Sequence, residues 1–317
     1  MMGEFDLIER YFTRPARRAV LGVGDDCALL QPAAGMHLAV SSDMLVEGRH
    51  FLPTVPAHLL GHKALAVNLS DLAACGAEPL AFTLAWSLPR ADEAFIASFA
   101  QGLLALADVY DIELVGGDTT AGPLNVCITV IGQVPSGRAL LRSGARVGDE
   151  LWVSGQLGDA RLALEVFRGG VALDAEAFTR VRCAMEQPTP RVLLGMALRG
   201  IASSAIDLSD GLTGDLHHVL TRSGVAAVVE VDQVPRSAIV AAQPQALQQT
   251  CVLEGGDDYE LLFTAAPAFH DAVRDAGARC GVGVRRIGRI DAGAGVRFVD
   301  GRGQMLNLRP AGFDHFA

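Results

Sequence analysis

Lysine is almost missing from this chain. Of the 26 basic residues only Lys63 is a lysine. It follows His62 rather than the glycine that a G-x-x-x-x-G-K-[ST] phosphate loop requires, which excludes a Walker A nucleotide site. The H-R-D and D-F-G signatures of protein kinases are absent as well. None of the eight histidines stands in H-E-x-x-H spacing. The six cysteines (Cys27, Cys75, Cys127, Cys183, Cys251, Cys280) include no C-x-x-C pair. A common zinc site and a disulfide framework are thereby excluded, and the cysteines read as small buried hydrophobes. Basic charge is in deficit, with 36 acidic residues against 26 and a net charge of -10, so a nucleic-acid backbone would be repelled and no such partner is expected. The longest apolar stretch, Leu59 to Leu88, is broken by His62, Lys63, Asn68, Asp71 and Glu78, so no membrane span and a soluble protein are expected. Glu4, Asp6 and Glu9 deny the N-terminus the character of a secretory or transit peptide, and a cytoplasmic location is expected.

What is present points to a folded α/β protein. A length of 317 residues suits about two domains. Glycine, 35 residues, is about 11% against a usual level of about 7%, which announces many tight loops. Apolar runs predict strands at Leu21–Val23, Met36–Ser41, Pro79–Leu88, Ile112–Val115 and Asn125–Val134, with helices at Ala57–Cys75 and Asp92–Tyr110. Pro135 to Asp149, rich in glycine and arginine and without hydrophobic period, marks a boundary between domains 1–136 and 137–317. Beyond it, strands are expected at Glu150–Ser154, Ala205–Leu208, Val225–Val231 and Tyr259–Thr264, and two more within Arg286–Val299. Helices are expected at Asp159–Arg168, Pro190–Arg199, Gly211–Arg222 and Pro267–Gly277. Of two arginine clusters, Arg14 to Arg18 reads as a solvated loop, and Arg138 to Arg146 as a place where a guanidinium fork could meet phosphate.

Four segments set aspartate beside glycine at the end of an apolar run: Gly24-Asp25-Asp26, Gly116-Gly117-Asp118, Asp207-Leu208-Ser209-Asp210-Gly211 and Gly255-Gly256-Asp257-Asp258. Carboxylates on glycine turns, where a ligand can approach the backbone, are the usual makings of an oxygen-ligated Mg²⁺ site. For any one of them the alternative is turn or N-cap chemistry, Asp210 before the helix at Gly211 above all. Asp71 lies in a helix apolar on nearly every side, where a carboxylate must be paired or coordinated; an internal hydrogen bond is its alternative role. Asn68, one turn earlier, shares its face, and Asp43 in Ser41-Ser42-Asp43 fits the same pattern.

Together the blocks Gly3-Glu-Phe-Asp-Leu-Ile-Glu-Arg-Tyr-Phe, Gly22-Val-Gly-Asp-Asp-Cys-Ala, Lys63-Ala-Leu-Ala-Val-Asn-Leu-Ser-Asp-Leu-Ala-Ala, Gly116-Gly-Asp-Thr-Thr, Ala205-Ile-Asp-Leu-Ser-Asp-Gly-Leu and Gly255-Gly-Asp-Asp-Tyr-Glu-Leu resemble bacterial thiamine-monophosphate kinases nearly end to end. The aspartate blocks are shared with the wider superfamily of aminoimidazole ribonucleotide synthetase, selenophosphate synthetase and hydrogenase-maturation proteins. The resemblance implies a two-domain α/β (α+β) fold of the aminoimidazole ribonucleotide synthetase type. Its N-terminal domain would bind ATP and Mg²⁺ and form a homodimer through a barrel-like sheet. The implied reaction is transfer of the γ-phosphoryl group of ATP to thiamine monophosphate; that acceptor is already largely dianionic at pH 7, so no residue is expected to act as a general base. By position, Asp26, Ser41, Ser42, Asp43, Asp71, Asp118, Asp207 and Asp210 resemble ligands of several Mg²⁺ ions. Gly117, Asp118, Arg142 and Ser209 resemble ATP contacts, and His50, Asp257 and Phe313 contacts to thiamine monophosphate. Family members often carry glutamate where this chain has Asp257. The alternatives are another ATP-using member of the superfamily and a nucleotide- and metal-binding paralogue without turnover.

Overall fold

A computed structural model describes residues 4–308 and residue 310; Phe313 lies outside them. The chain divides into two compact units, one of residues 1–72 and 77–137, the other of residues 73–76 and 138–317.

The first unit runs α1 (Glu4–Tyr11), β1 (Met36–Val46), α2 (Ala57–Ala74), β2 (Glu78–Leu88), α3 (Glu93–Val109), β3 (Glu113–Ala121) and β4 (Asn125–Pro135). Its four strands form one mixed sheet in the order β1-β4-β2-β3. β4 is antiparallel to both neighbours, while β2 and β3 run parallel. One face carries Leu45, Phe82, Leu84, Trp86, Val126, Ile128 and Val130, all buried together with Leu60, Leu65 and Leu69 of α2 and Phe99 and Leu103 of α3. The other face of β1 is left bare, with Leu38 47%, Val40 64%, Met44 55% and Val46 36% exposed.

α2 is apolar all round because it is buried on nearly every side, and two glycines let α3 approach it closely. A Cβ on Gly61 would stand 2.1 Å from the carbonyl oxygen of Phe99, and one on Gly102 would stand 1.7 Å from that of His58. No side chain could occupy either position without moving a helix.

The expected strand at Leu21–Val23 is only a pair of isolated bridges, Leu21 to Leu29 and Val23 to Asp25. The arginine run before it is exposed from Arg14 to Arg17, as a solvated loop should be, and is anchored as well. The Glu113 carboxylate accepts from the backbone N–H groups of Arg17, Arg18 and Ala19 at 2.5, 2.9 and 2.9 Å. Arg18 reaches Glu78 at 2.6 Å and the carbonyls of Pro79 and Asp111, both at 3.0 Å. Burial alone would push Glu113 up, but those three N–H donors and the Arg17 guanidinium prevail and hold it below the usual carboxylate range.

The second unit runs β5 (Glu150–Ser154), α4 (Asp159–Phe167), α5 (Ala175–Glu186), α6 (Val192–Ala197), β6 (Ser204–Asp207), α7 (Leu212–Ser223), β7 (Ala226–Glu230), α8 (Ala238–Ala241), α9 (Gln245–Glu254), β8 (Leu261–Ala265), α10 (His270–Arg279), β9 (Val284–Asp291) and β10 (Gly295–Val299). Its six strands lie in the order β10-β7-β9-β5-β8-β6, antiparallel except for β7 beside β10. Helices α5, α8 and α9 are not among those expected from sequence. Leu151 and Val153 of β5, Leu162 of α4, Leu216 and Val219 of α7 and Leu262 of β8 join one apolar core. Within it the Glu260 carboxylate receives Arg191 Nε at 2.6 Å and the Ser154 hydroxyl at 2.5 Å, so that this buried charge is paired.

The six cysteines are thiols rather than disulfides, and of the six only Cys251 is buried while Cys27 and Cys183 are exposed. Among the described residues no helix is long and apolar enough to cross a membrane.

Candidate functional site

In the first unit, the pleat of β1 sorts the Ser41-Ser42-Asp43 segment between two faces. Ser41 and Asp43 fall opposite Val130 and Ile128 on β4 and turn toward α2. There the Ser41 hydroxyl donates to Asp71 Oδ2 at 2.5 Å. The Asp43 N–H donates to Asn68 Oδ1 at 3.1 Å, and Asn68 Nδ2 donates to the Ala64 carbonyl at 3.0 Å. Helix and strand are thus stitched together at consecutive turns of α2, where the half-buried Asp71 takes the Ser41 hydroxyl. Ser42 turns its hydroxyl to the other face, toward the Ile128 carbonyl at 3.2 Å and Thr129 Oγ1 at 3.0 Å. Its side chain is not brought to Asp71.

Asp118 stands at the opposite edge. The row Asp43, Ile128, Leu84, Gly117 crosses the sheet, and the next row carries Met44, Cys127, Ala85 and Asp118. Three strand spacings, about 14 Å, separate the two edges. Gly117 is required by geometry: its φ is +154 and a Cβ there would stand 1.8 Å from the Leu84 carbonyl oxygen. Asp118 and Asp26 are exposed, the latter on the bend after Gly24.

His50 ends the turn that leaves β1. Its N–H and that of Arg49 donate to the Val46 carbonyl at 3.0 and 3.1 Å, and the Val46 N–H donates to His50 Nδ1 at 3.0 Å.

In the second unit, two loops run side by side because β6 and β8 are neighbours. Past the strand ends the pairing continues: Leu208 N–H donates to the Glu260 carbonyl at 2.9 Å, Tyr259 N–H to that of Leu208 at 2.8 Å, and Asp257 N–H to that of Ser209 at 2.9 Å. The close approach leaves no room for a side chain at Gly256, whose Cβ would lie 2.2 Å from the Ser209 oxygen. Asp257 has φ +69 and Tyr259 φ +49, conformations that cost non-glycine residues about 1 kcal/mol or more and that cluster at functional sites. The Tyr259 hydroxyl donates to Asp257 Oδ1 at 3.0 Å. Asp258 accepts from the Gly158 N–H at 3.0 Å. Burial pushes it well up, and the negative charges of Glu260, Asp159 and Asp257 push the same way.

Asp207, 5% exposed, and Asp210 close the loop before α7. The Asp210 N–H donates to Asp215 Oδ2 at 3.0 Å, and the residue preceding the helix is Gly211, which makes no side-chain cap bond, so Asp210 is not an N-cap. Asp215, 3% exposed, is pushed up to about 8 by burial and then by the charge of Asp207; the Asp210 N–H and Arg142 oppose the shift, and the Asp210 charge adds to it. The structure therefore brings Asp207, Asp210 and Arg142 within electrostatic reach of one buried carboxylate. Asp215 was missed in the sequence although its signal was there: an acid on the same helical stripe as Leu212, Leu216 and Val219.

Among the described residues no three His, Cys, Asp or Glu side chains stand close enough together to hold a metal ion. The donor chemistry nonetheless fits a hard divalent cation. Asp26, Ser41, Ser42, Asp43, Asp71, Asp118, Asp207 and Asp210 offer oxygen only, and beside the burial that raises Asp215 the charges of Asp207 and Asp210 raise it further, a local negative excess that Mg²⁺ would neutralise.

Comparison with known proteins matches residues 24–134 to the AIR synthase related protein N-terminal domain and residues 146–301 to its C-terminal domain. The chain is 45% identical over 321 aligned residues to the thiamine-monophosphate kinase of Salmonella typhimurium, covering 99% of this chain and 98% of that protein. The crystal structure of thiamine-monophosphate kinase from Stenotrophomonas maltophilia superposes with a TM-score of 0.85 at 46% identity, over 91% of this chain and 92% of that one. AaThiL complexed with AMPPCP and TMP superposes with a TM-score of 0.78 at 27% identity, over 99% and 97%.

Proposed function

The chain belongs to the thiamine-monophosphate kinase family of AIR synthase related proteins, and from that premise we propose that it transfers the γ-phosphoryl group of ATP to thiamine monophosphate, releasing ADP and thiamine diphosphate. The observation that carries this reading is likeness across the whole chain, 45% identical over 99% of it, rather than one shared motif.

The acceptor is a phosphate monoester whose second ionisation lies at about 6, so it is largely dianionic at pH 7 and needs no residue to take a proton from it. An acceptor oxygen attacks the γ-phosphorus as the bond to the ADP oxygen breaks, and the electron pair leaves with ADP. The difficulty is bringing two polyanions into line, which makes position and charge the whole of the protein's task. Mg²⁺ held by the aspartates assigned below would supply positive charge against the phosphates.

In the first unit we assign Asp26, Ser41, Ser42, Asp43, Asp71 and Asp118 to holding it. The Ser41 to Asp71 and Asp43 to Asn68 bonds fix two of those carboxylate-bearing segments against each other before any ligand arrives. In the second unit we assign Asp207 and Asp210. Gly117, Asp118, Arg142 and Ser209 are assigned to ATP; His50 and Asp257 to thiamine monophosphate, as is Phe313, outside the described residues. Asp257 replaces the usual glutamate with a shorter arm, and the Tyr259 hydroxyl holds that arm in place.

Residues 1–136 form the ATP- and Mg²⁺-binding domain of this reading and also its dimerisation domain. The bare apolar face of β1 suits a second copy that closes the sheet into a barrel, and the division of the acidic set between the β1 and β3 edges gives that closure a purpose. With the partner's β3 beside β1, the partner's Asp118 comes to the edge that carries Asp43, on the face of Ser42 and Met44, whereas a single sheet keeps the two edges about 14 Å apart. The reaction is placed in the cytoplasm, where ATP is available.

The test is product formation from ATP and thiamine monophosphate. One ADP per thiamine diphosphate, dependent on Mg²⁺ and abolished by a chelator, is expected. ADP release indifferent to thiamine monophosphate, or ATP binding without turnover, would overturn the proposal.

A further inference from the structure

Lys63 takes no part in the phosphate chemistry read from the sequence, yet it is 2% exposed. A buried ammonium persists only where partners offset its lost hydration. Every other basic residue is arginine, whose planar fork needs more room than a single point donor on a four-carbon stem. At the exception stands a point donor on a flexible stem. Its Nζ donates to the main-chain carbonyl of His50 at 3.1 Å.

That carbonyl belongs to a turn fixed from several directions. Gly48, at φ +79, donates its N–H to the Phe51 carbonyl at 2.8 Å, while Arg49 and His50 donate theirs to Val46. The Val46 N–H donates in return to His50 Nδ1 at 3.0 Å. An amide N–H can only donate, so Nδ1 is the lone-pair nitrogen, and the neutral ring carries its proton on Nε2.

We propose that Lys63 is a positioning residue whose ammonium fixes the His50 carbonyl and thereby presents the His50 Nε2–H as a donor to a lone pair of thiamine monophosphate. The inference rests on the assignment of His50 to that substrate, and it adds the atom that donates, the tautomer that donates and the residue that holds it.

The test combines kinetics with ¹⁵N spectra of histidine-labelled full-length protein, His50 being assigned by the resonance pair lost in His50→Gln. Wild type is expected to show Nδ1 as lone-pair nitrogen and Nε2 as protonated nitrogen. In Lys63→Met the KM for thiamine monophosphate should rise about tenfold, the loss of one hydrogen bond. kcat and the KM for ATP should stay within about twofold, and the His50 resonances should move toward averaged tautomers. Lys63→Gln, which keeps a shorter donor, should fall between. A Lys63→Met enzyme with unchanged KM, or with raised KM but an unchanged His50 spectrum, would overturn the inference while His50→Gln still raised the KM. An unchanged KM in His50→Gln would remove the substrate assignment itself. Failure of both Lys63 variants to fold, by circular dichroism, would make Lys63 a residue of the fold and overturn its positioning role.

Discussion

Asp215 shows at the scale of a single residue what the second unit is built to hold. Burial and the charge of Asp207 lift it to about 8, Asp210 adds to the effect, and the Asp210 N–H and Arg142 only partly oppose it. In the unfolded chain the same group ionises near 3.8. Between those values the folded state keeps a proton that the unfolded state has released, so without metal the fold loses stability as pH rises from about 4 to about 8. Asp215→Asn keeps an oxygen for the Asp210 N–H and cannot ionise. It should raise the Tm of the metal-free protein at pH 9, with the difference shrinking toward pH 5 and also on saturation with Mg²⁺. A lower Tm for the variant at pH 9 would contradict this account. Residue-scale reading of the sequence found the aspartates that stand beside glycine because the motif names them. It passed over Asp215 because a lone acid in a helix looks like surface until its stripe is compared with Leu212, Leu216 and Val219. The cysteines show the converse: spacing excluded disulfides, but burial depends on partners that spacing does not contain, and Cys27 and Cys183 came out exposed.

At the scale of elements, sequence periodicity located α2, β2 and β4 because their stretches are long and mostly apolar. β1 was cut short at Ser41, where Ser-Ser-Asp ends the apolar pattern, although eleven residues of register with β4 carry the strand on to Val46. α5 escaped because only Val181, Met185 and Glu186 are buried on it, and α9 because its glutamines dilute the apolar face. The contact of α2 with α3 was not legible either, since glycine in a helix reads as weakness until a neighbouring backbone is seen against it. Gly102→Ala places a methyl 1.7 Å from the His58 oxygen, and the two helices must part to admit it. A loss of about 1–3 kcal/mol in urea unfolding of the full chain is expected. α2 carries Asn68 and Asp71, so activity should fall with it. Unchanged stability would mean that the helices do not meet as closely as described.

For the whole molecule, the central claim is that two copies complete the kinase site. β1 and β3 are the two edges of one sheet; Asp43 lies on the first and Asp118 on the second, and the exposed Leu38, Val40, Met44 and Val46 mark where a partner would close the sheet. The most direct measurement is complementation between Asp43→Asn and Asp118→Asn chains. They would be co-expressed with different tags, the mixed dimer purified through both tags, and thiamine diphosphate formation assayed. Each variant alone should be nearly inactive. A mixed dimer should regain up to about half of wild-type activity, because one of its two sites then pairs an intact Asp43 with the partner's intact Asp118. A mixed dimer as inactive as its parents, or a fully active monomer, would contradict the account.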